Sequence, residues 1–317
     1  MILAADVGGS KTLVGLFERV APRPRLIEAR AVRTLDYPDL MSLLRAACPI
    51  GPEVDAIALG VAGPIVEHEA TLTNVPWRVK ARDVVEGTGV ARLRLLNDLE
   101  AMAYAVPVLA PDELHTLQAG RTSAHGNAAL IAAGTGLGEA TLHRVDGAWW
   151  PVPSEAGHAD FAARTDAELA LVAALRERFG RVDVERVVSG LGLINLARHV
   201  HRADRCAVAG GFDEDGATAR VSDAAAAGTC ERCVTVLEMF VDAYGAEAGN
   251  LALRAVATSG LYVGGGIAPK ILPLIQARFM TTFLDKAPMH GLLADVPVHV
   301  ILNDQAGLVG AAVAALA

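Results

Sequence analysis

An α/β fold in two domains is predicted by three features of the sequence: short apolar runs alternating with helix-length segments, a strand–glycine turn–strand unit that occurs twice, and a length of 317 residues. A globular chain of this size buries roughly three quarters of the surface it exposes when unfolded, in one large domain or two. Alternation of strand and helix patterns implies sheets covered by helices.

Taken in order, ILAADV, TLVGLFE, AIALGVA and RLRLLN read as the strands of the first half, and AALIAAG, EATLHRV, LYVGGG and VPVHVIL as those of the second. Helical patterns fill Leu99 to Ala105, Ala167 to Phe179 and Thr235 to Ala257. The repeated unit spans Ile2 to Phe17 around DVGGSKT and Ala129 to His143 around AAGTGLGEAT, each an apolar approach, a turn of small residues and an apolar return. This points to two related halves, although a β-hairpin with a glycine turn is common in itself, and a cleft between halves is a natural place for a ligand. The boundary is expected in PVLAPDELHTL (Pro107 to Leu117), where two prolines and an acidic pair interrupt the pattern. This gives a first domain over 1–108 and a second over 109–303. A small-residue helix at about 304–317 is expected to pack back on the first.

With 28 basic and 36 acidic residues the chain carries a net charge of -8, and no cluster of Lys or Arg is longer than two. This argues against a basic face for nucleic acid or anionic lipid, so an anionic ligand is expected to be held by local groups such as backbone amides or a metal ion. Cys48, Cys206, Cys230 and Cys233 are too few for a disulfide scaffold. The N-terminus opens on a strand pattern rather than a signal peptide, and no apolar stretch is long enough to span a bilayer. The expected setting is a reducing cytoplasm.

Asp6-Val-Gly-Gly-Ser-Lys-Thr has what a phosphate site needs. Gly8 and Gly9 let backbone N–H groups approach an anion, Ser10, Lys11 or Thr12 add side-chain donors, and Asp6 can hold a hydrated Mg²⁺. A tight turn whose amides are satisfied by the Asp is the competing reading. Neither a Walker loop nor a G-x-G-x-x-G fingerprint occurs. Gly134-Thr135-Gly136-Leu137-Gly138 is a second candidate loop, with the Thr135 hydroxyl as a donor, and Gly264-Gly265-Gly266 before Ile267 is a third, where a flat ligand can approach the backbone. Each alone is also an ordinary turn.

Asn97 and Asp98 fall at a strand–helix junction. Asn97 with Glu100 reads as a capping box, and Asp98 reads equally as a general base with Asn97 orienting a hydroxyl-rich ligand. Glu155 and His158 share a loop and can grip neighbouring sugar hydroxyls, or else form a solvated cap. Glu185 by itself is an ordinary surface charge. Cys230 and Cys233 form a lone C-x-x-C for which Cys206 and Cys48 offer no partner at zinc-like spacing, so they are read as two plain thiols.

ADVGGSKT, GVAGPI, LTNVPW (Leu72 to Trp77), LLNDLEAMAYAV, AAGTGLGEA, SEAGHADF, ERVVSGLGLINL, YGAEAGNLAL and YVGGGIAPKIL occur in this order, and together the chain resembles the bacterial glucokinases of the hexokinase, actin-like ATPase superfamily over nearly its whole length. The resemblance implies a two-domain actin-like ATPase (ribonuclease H-like) fold with a central cleft, ATP and Mg²⁺ as cofactors, glucose as acceptor and, by analogy, a homodimer. It also implies roles. Asp6, Gly8, Gly9, Ser10 and Lys11 belong to the first phosphate motif, with Asp6 on Mg²⁺ through water, and Gly134, Thr135, Gly136 and Gly138 to the second. Asn97 is a sugar ligand, Asp98 a sugar ligand and the catalytic base, and Glu155, His158 and Glu185 further sugar ligands, while Gly264, Gly265, Gly266 and Ile267 meet the adenosine. Ser10 replaces the usual Thr, and Ala156 a usual Gly. The cysteine-rich zinc motif of the related repressor/kinase (ROK) family is absent. A kinase for fructose or N-acetylmannosamine, and a non-catalytic sugar-responsive regulator, are the rival readings. Regulators usually carry an N-terminal helix-turn-helix, whereas Asp6 arrives six residues into this sequence.

Overall fold

The computed structural model describes every residue except Pro49, Thr73, Asn74 and Ala317. Part of LTNVPW and the end of the last helical segment therefore lie outside the described residues. In chain order the strands and helices of the first stretch are β1 (Ile2–Val7), β2 (Lys11–Glu18), β3 (Arg25–Arg33), α1 (Leu40–Ala47), β4 (Ala56–Val61), β5 (Ile65–Val66), β6 (Glu69–Thr71), β7 (Arg78–Lys80), α2 (Ala81–Thr88), β8 (Leu93–Asn97) and α3 (Asp98–Ala105). They are followed by β9 (Leu114–Gln118), β10 (Ala128–Ala133), β11 (Leu137–Val145), β12 (Ala148–Ser154), α4 (Asp166–Phe179), α5 (Gly190–His201), β13 (Arg205–Cys206), β14 (Gly210–Gly211) and α6 (Ala217–Ala226). The last are α7 (Glu231–Ala255), β15 (Gly260–Gly264), α8 (Leu272–Leu284), α9 (His290–Asp295), β16 (Val298–Ile301) and α10 (Ala306–Ala314).

Two compact units result. One comprises Met1–Leu114, Val145–Pro153 and Asn303–Ala317, the other His115–Arg144 and Ser154–Leu302. The sequence placed the divide at 108/109, whereas it falls at Leu114/His115. Glu113 accounts for the extra residues: its carboxylate accepts from both Arg23 nitrogens at 2.5 and 2.8 Å and from Asn303 at 2.6 Å, which ties the proline-rich stretch to the first unit. Those donors hold the Glu113 carboxyl down at about 2.

In the first unit the sheet order is β3-β2-β1-β4-β8, with β1, β2 and β3 antiparallel and β1, β4 and β8 parallel. Strands buried on both faces need apolar residues at nearly every position, which is why β1 and β4 read as continuous runs. Leu3, Ala5 and Val7 of β1 join the core under α1, and Ile2 and Ala4 join the core with Leu308, Ala311 and Ala312 of α10. By the two-residue period of a strand, Asp6 belongs to the α10 face. A Cβ on Gly310 would overlap the Ala101 carbonyl of α3, so α10 and α3 pack at backbone distance and demand the small residues of GLVGAAVA. β3 lies at the sheet edge and is exposed at almost every residue.

In the second unit the strands run β11-β10-β15-β16-β9, β10 and β11 antiparallel and β10, β15 and β16 parallel. The 25-residue α7 is the central helix: Phe240 and Tyr244 are fully buried, and the Tyr244 hydroxyl accepts the Ala133 N–H at 3.2 Å, fixing the helix to the end of β10. No described helix is long and apolar enough to cross a membrane.

Candidate active site

Three parallel strands of the first unit end in register. Val7 pairs with Val61, and Val61 with Asn97, so the Gly8–Ser10 turn, the Ala62–Gly63 turn and the Asn97–Asp98 junction leave the sheet along one edge. β1 and β8 flank β4, which separates their ends by roughly 10 Å, two strand spacings. Ligands of parallel α/β sheets bind at this carboxyl edge. The first turn is closed by the Gly8 N–H donating to the Lys11 carbonyl at 3.1 Å, and the buried Thr34 hydroxyl donates to the Gly8 carbonyl at 2.7 Å.

Asn97 is the N-cap of α3. Its Oδ1 accepts from Leu99 N–H at 2.9 Å and Glu100 N–H at 3.3 Å, and its Nδ2 donates to the Gly63 carbonyl at 3.2 Å. The capping reading of the sequence therefore holds for the side chain, and one amide N–H is left over for a ligand. Asp98 opens α3, half-buried, with Oδ1 accepting from Leu99 N–H at 2.9 Å.

Asp6 stands two residues before the first turn. Burial raises its carboxyl to about 6, against a lowering by Lys11. A Cβ on Gly307 would stand 2.6 Å from Oδ2, so there is room for the carboxylate only because the second residue of α10 is glycine. A shielded carboxylate at a strand end, with no ion pair among the described residues, suits a hydrated divalent cation.

In the second unit the Gly134–Gly136 turn is closed by Gly134 N–H to the Gly136 carbonyl, and Gly190 at the start of α5 donates to the Gly134 carbonyl, both at 2.8 Å. Glu185 is half-buried rather than an ordinary surface charge: its Oε2 accepts the Leu137 N–H at 2.8 Å, and its own N–H donates to the Gly157 carbonyl at 2.9 Å. Glu155 and His158 sit in that same Gly157 loop, both exposed, with His158 Nδ1 3.6 Å from an Asp183 oxygen. Glu155, His158 and Glu185 thus gather around the beginning of β11. Gly265 has φ +83° and no room for a Cβ against the Ala133 carbonyl, while Ile267 N–H donates to that same carbonyl at 3.3 Å. The Gly264–Ile267 turn therefore leans on the strand end that leads into Gly134.

Reading Cys230 and Cys233 as plain thiols without partners is corrected. His201, Cys206, Cys230 and Cys233 bring their ligand atoms within 4.8 Å of one another. The packing of α5 against α7, with the β13–β14 hairpin between them in sequence, closes a gap that residue spacing leaves invisible.

A family model described as Glucokinase matches residues 3–317. Among curated relatives, the glucokinase of Trichormus variabilis is 37% identical over 99% of this chain and 98% of its own length, and that of Cronobacter sakazakii 32% over 98% and 95%. Among solved structures, a glucokinase from an Antarctic psychrotroph superposes with a TM-score of 0.84 at 30% identity, covering 99% of this chain and 98% of that one. A ROK family glucokinase from Streptomyces griseus, in complex with glucose and AMPPNP, shares the fold with a TM-score of 0.68 at 22% identity over 98% and 97%. The fold is the two-domain actin-like ATPase fold.

Proposed function

The chain belongs to the glucokinase family, and from that premise we propose that it transfers the γ-phosphoryl group of ATP to the 6-hydroxyl of glucose with Asp98 as general base. The single observation that carries the assignment of roles is the shared edge of β1, β4 and β8, where Asp6, Asn97 and Asp98 emerge together. Asp98 accepts the hydroxyl proton as the sugar oxygen attacks the γ-phosphorus in line. The bond from that phosphorus to the bridging oxygen breaks, and ADP departs with the electron pair.

Asn97 positions Asp98, since its cap fixes the first turn of α3, and offers its remaining N–H to the sugar. Glu155, His158 and Glu185 hold the other sugar hydroxyls. Gly8, Gly9, Ser10 and Lys11 donate to phosphate oxygens, as do Gly134, Thr135, Gly136 and Gly138, and Gly264 to Ile267 take the adenosine. Asp6 would hold Mg²⁺, which when bound would supply neutralisation of phosphate charge. Positioning accounts for up to about 7–11 kcal/mol of barrier reduction, and the base for about 10²–10⁴-fold. On this reading the enzyme works in the cytoplasm as a homodimer; light scattering of the purified chain tests the dimer.

A steady-state coupled assay with ATP and Mg²⁺ over glucose, fructose and N-acetylmannosamine tests the assignment. Glucose is expected to give the highest kcat/KM. Preference for another hexose would replace the acceptor, and sugar binding without turnover would favour the regulator.

A further inference from the structure

We propose that His201, Cys206, Cys230 and Cys233 form a structural zinc site in the second unit, independent of the kinase assignment. The Cys206 sulfur lies 3.7 Å from that of Cys230 and 3.9 Å from that of Cys233, and the Cys233 sulfur lies 3.7 Å from His201 Nε2. A tetrahedral zinc with ordinary bond lengths has S···S edges of about 3.8 Å and S···N edges of about 3.6 Å. All four cysteines of the chain are free thiols, so no disulfide competes for the cluster.

Each ligand is held by its own local structure. Cys230 immediately precedes α7 and Cys233 is its third residue, so the start of one helix carries both sulfurs. Cys206 ends β13, and its sulfur accepts the Val208 N–H at 3.3 Å, a backbone bond that both orients a thiolate and spreads its charge. His201 is the last residue of α5, buried, and meets Phe212 edge-on at 5.4 Å between centroids, which fixes the ring plane. Three thiolates and an imidazole are a soft donor set that selects zinc over magnesium or calcium. Arg232, whose guanidinium donates to the His201 carbonyl at 3.3 Å, offsets the excess negative charge of such a centre.

Four protein ligands leave no open coordination position, which makes the site structural rather than catalytic. Position agrees: His201 ends the 12-residue α5 whose other end abuts Gly134, roughly 18 Å along the helix axis. The β13–β14 hairpin has two residues in each strand, far too few to be stable alone. Besides the cluster, Ala209 and Phe212 anchor the hairpin in the core, Arg220 donates to the Ala209 carbonyl at 2.7 Å, and exposed ion pairs of Asp204 and Asp213 with Arg198 and of Glu214 with Arg220 add little. A metal ion would staple the end of α5, the hairpin and the start of α7 at one point.

The test uses the full chain, purified without a polyhistidine tag or chelator and analysed by mass spectrometry for metal. One zinc per chain is expected, retained in Cys48→Ser and lost in Cys206→Ser and Cys233→Ser. Exchange into Co²⁺ should give thiolate charge-transfer and tetrahedral d–d absorption in the unaltered protein, a readout that survives if the serine variants fail to fold. Stripping the zinc with a chelator should lower Tm by about 5 °C or more and expose three further thiols to a thiol reagent. Less than a tenth of an equivalent of zinc after reconstitution, no cobalt absorption, or equal reactivity of all four thiols with and without chelator would overturn the proposal.

Discussion

The two units are built on one plan and equipped differently. Each has an antiparallel hairpin whose first strand starts a parallel trio, β2-β1-β4-β8 in one and β11-β10-β15-β16 in the other, and each hairpin turns through three residues, Gly8–Ser10 and Gly134–Gly136. One residue before the last of the leading strand, the first unit has Asp6 and the second has Ala132. Their braces differ too. A Thr34 hydroxyl steadies the first turn, whereas the Glu185 carboxylate and the Gly190 amide steady the second. A shared frame thus places donors at two turns, and the residue types laid on it give Asp6 and Asp98 to one edge and the Glu185 brace to the other.

That contrast can be broken first at Asp98, which has no counterpart role in the second unit. Asp98→Asn is expected to lower kcat by about 10²–10⁴-fold while the glucose Kd, measured by calorimetry, stays within a few-fold. Loss of binding in step with kcat would reduce Asp98 to a ligand. A second comparison lies within the second unit. Gly265→Ala forces a side chain into a left-handed backbone and against the Ala133 carbonyl, so urea unfolding should show a loss of about 1–3 kcal/mol and KM for ATP should rise. Gly134→Ala, with open space around it, should cost about 0.5 kcal/mol or less.

Glu139 sharpens the difference in electrostatics. It is fully buried, neither oxygen has a hydrogen-bond partner among the described residues, and burial followed by the nearby Glu247 carboxylate pushes its carboxyl up to about 8, with Arg254 at 3.7 Å pulling it back. The unfolded chain releases this proton near 4.5 and the folded chain near 8, so the folded state binds more protons between those values. Its contribution to stability is full below about 4.5 and is lost as pH rises to 8. Glu139→Gln should flatten that fall and leave the variant about 1–2 kcal/mol more stable relative to the parent at pH 8 than at pH 5, read from denaturant melts. Unchanged pH dependence would mean that Glu139 is ionised throughout. Thr34→Val removes one hydrogen bond to the first turn and another with the buried Thr12 hydroxyl, and should cost about 1–3 kcal/mol in urea unfolding with a modest rise in KM for ATP.

Much of this was legible in the sequence because it is local. Buried parallel strands announce themselves as apolar runs, and glycine clusters mark where they end; ILAADV and AALIAAG are both. Asn97 and Asp98 were visible because a cap and a strand end coincide in five residues. What stayed hidden depends on distant pairings. β3, RLIEARAVR, carries alternating charge and apolar residues at a sheet edge and resembles a solvated segment as much as a strand. Glu185 reaches the N–H of a residue 48 positions earlier, and no spacing rule signals that. The His201–Cys206–Cys230–Cys233 cluster needs α5 and α7 packed before it exists.

Asn303–Ala317 belongs to the first unit yet is synthesised after the whole of the second. Until α10 arrives, Ala4, Ala58, Leu96 and Ala101 lack the cover that Leu308, Ala311 and Ala312 supply. During translation the second unit can therefore mature first, while the half bearing Asp6 and Asp98 waits as an incomplete sheet for its last helix. Activity would then emerge late in biosynthesis, and a chain cut short near residue 305 would hold a finished half and an unfinished one.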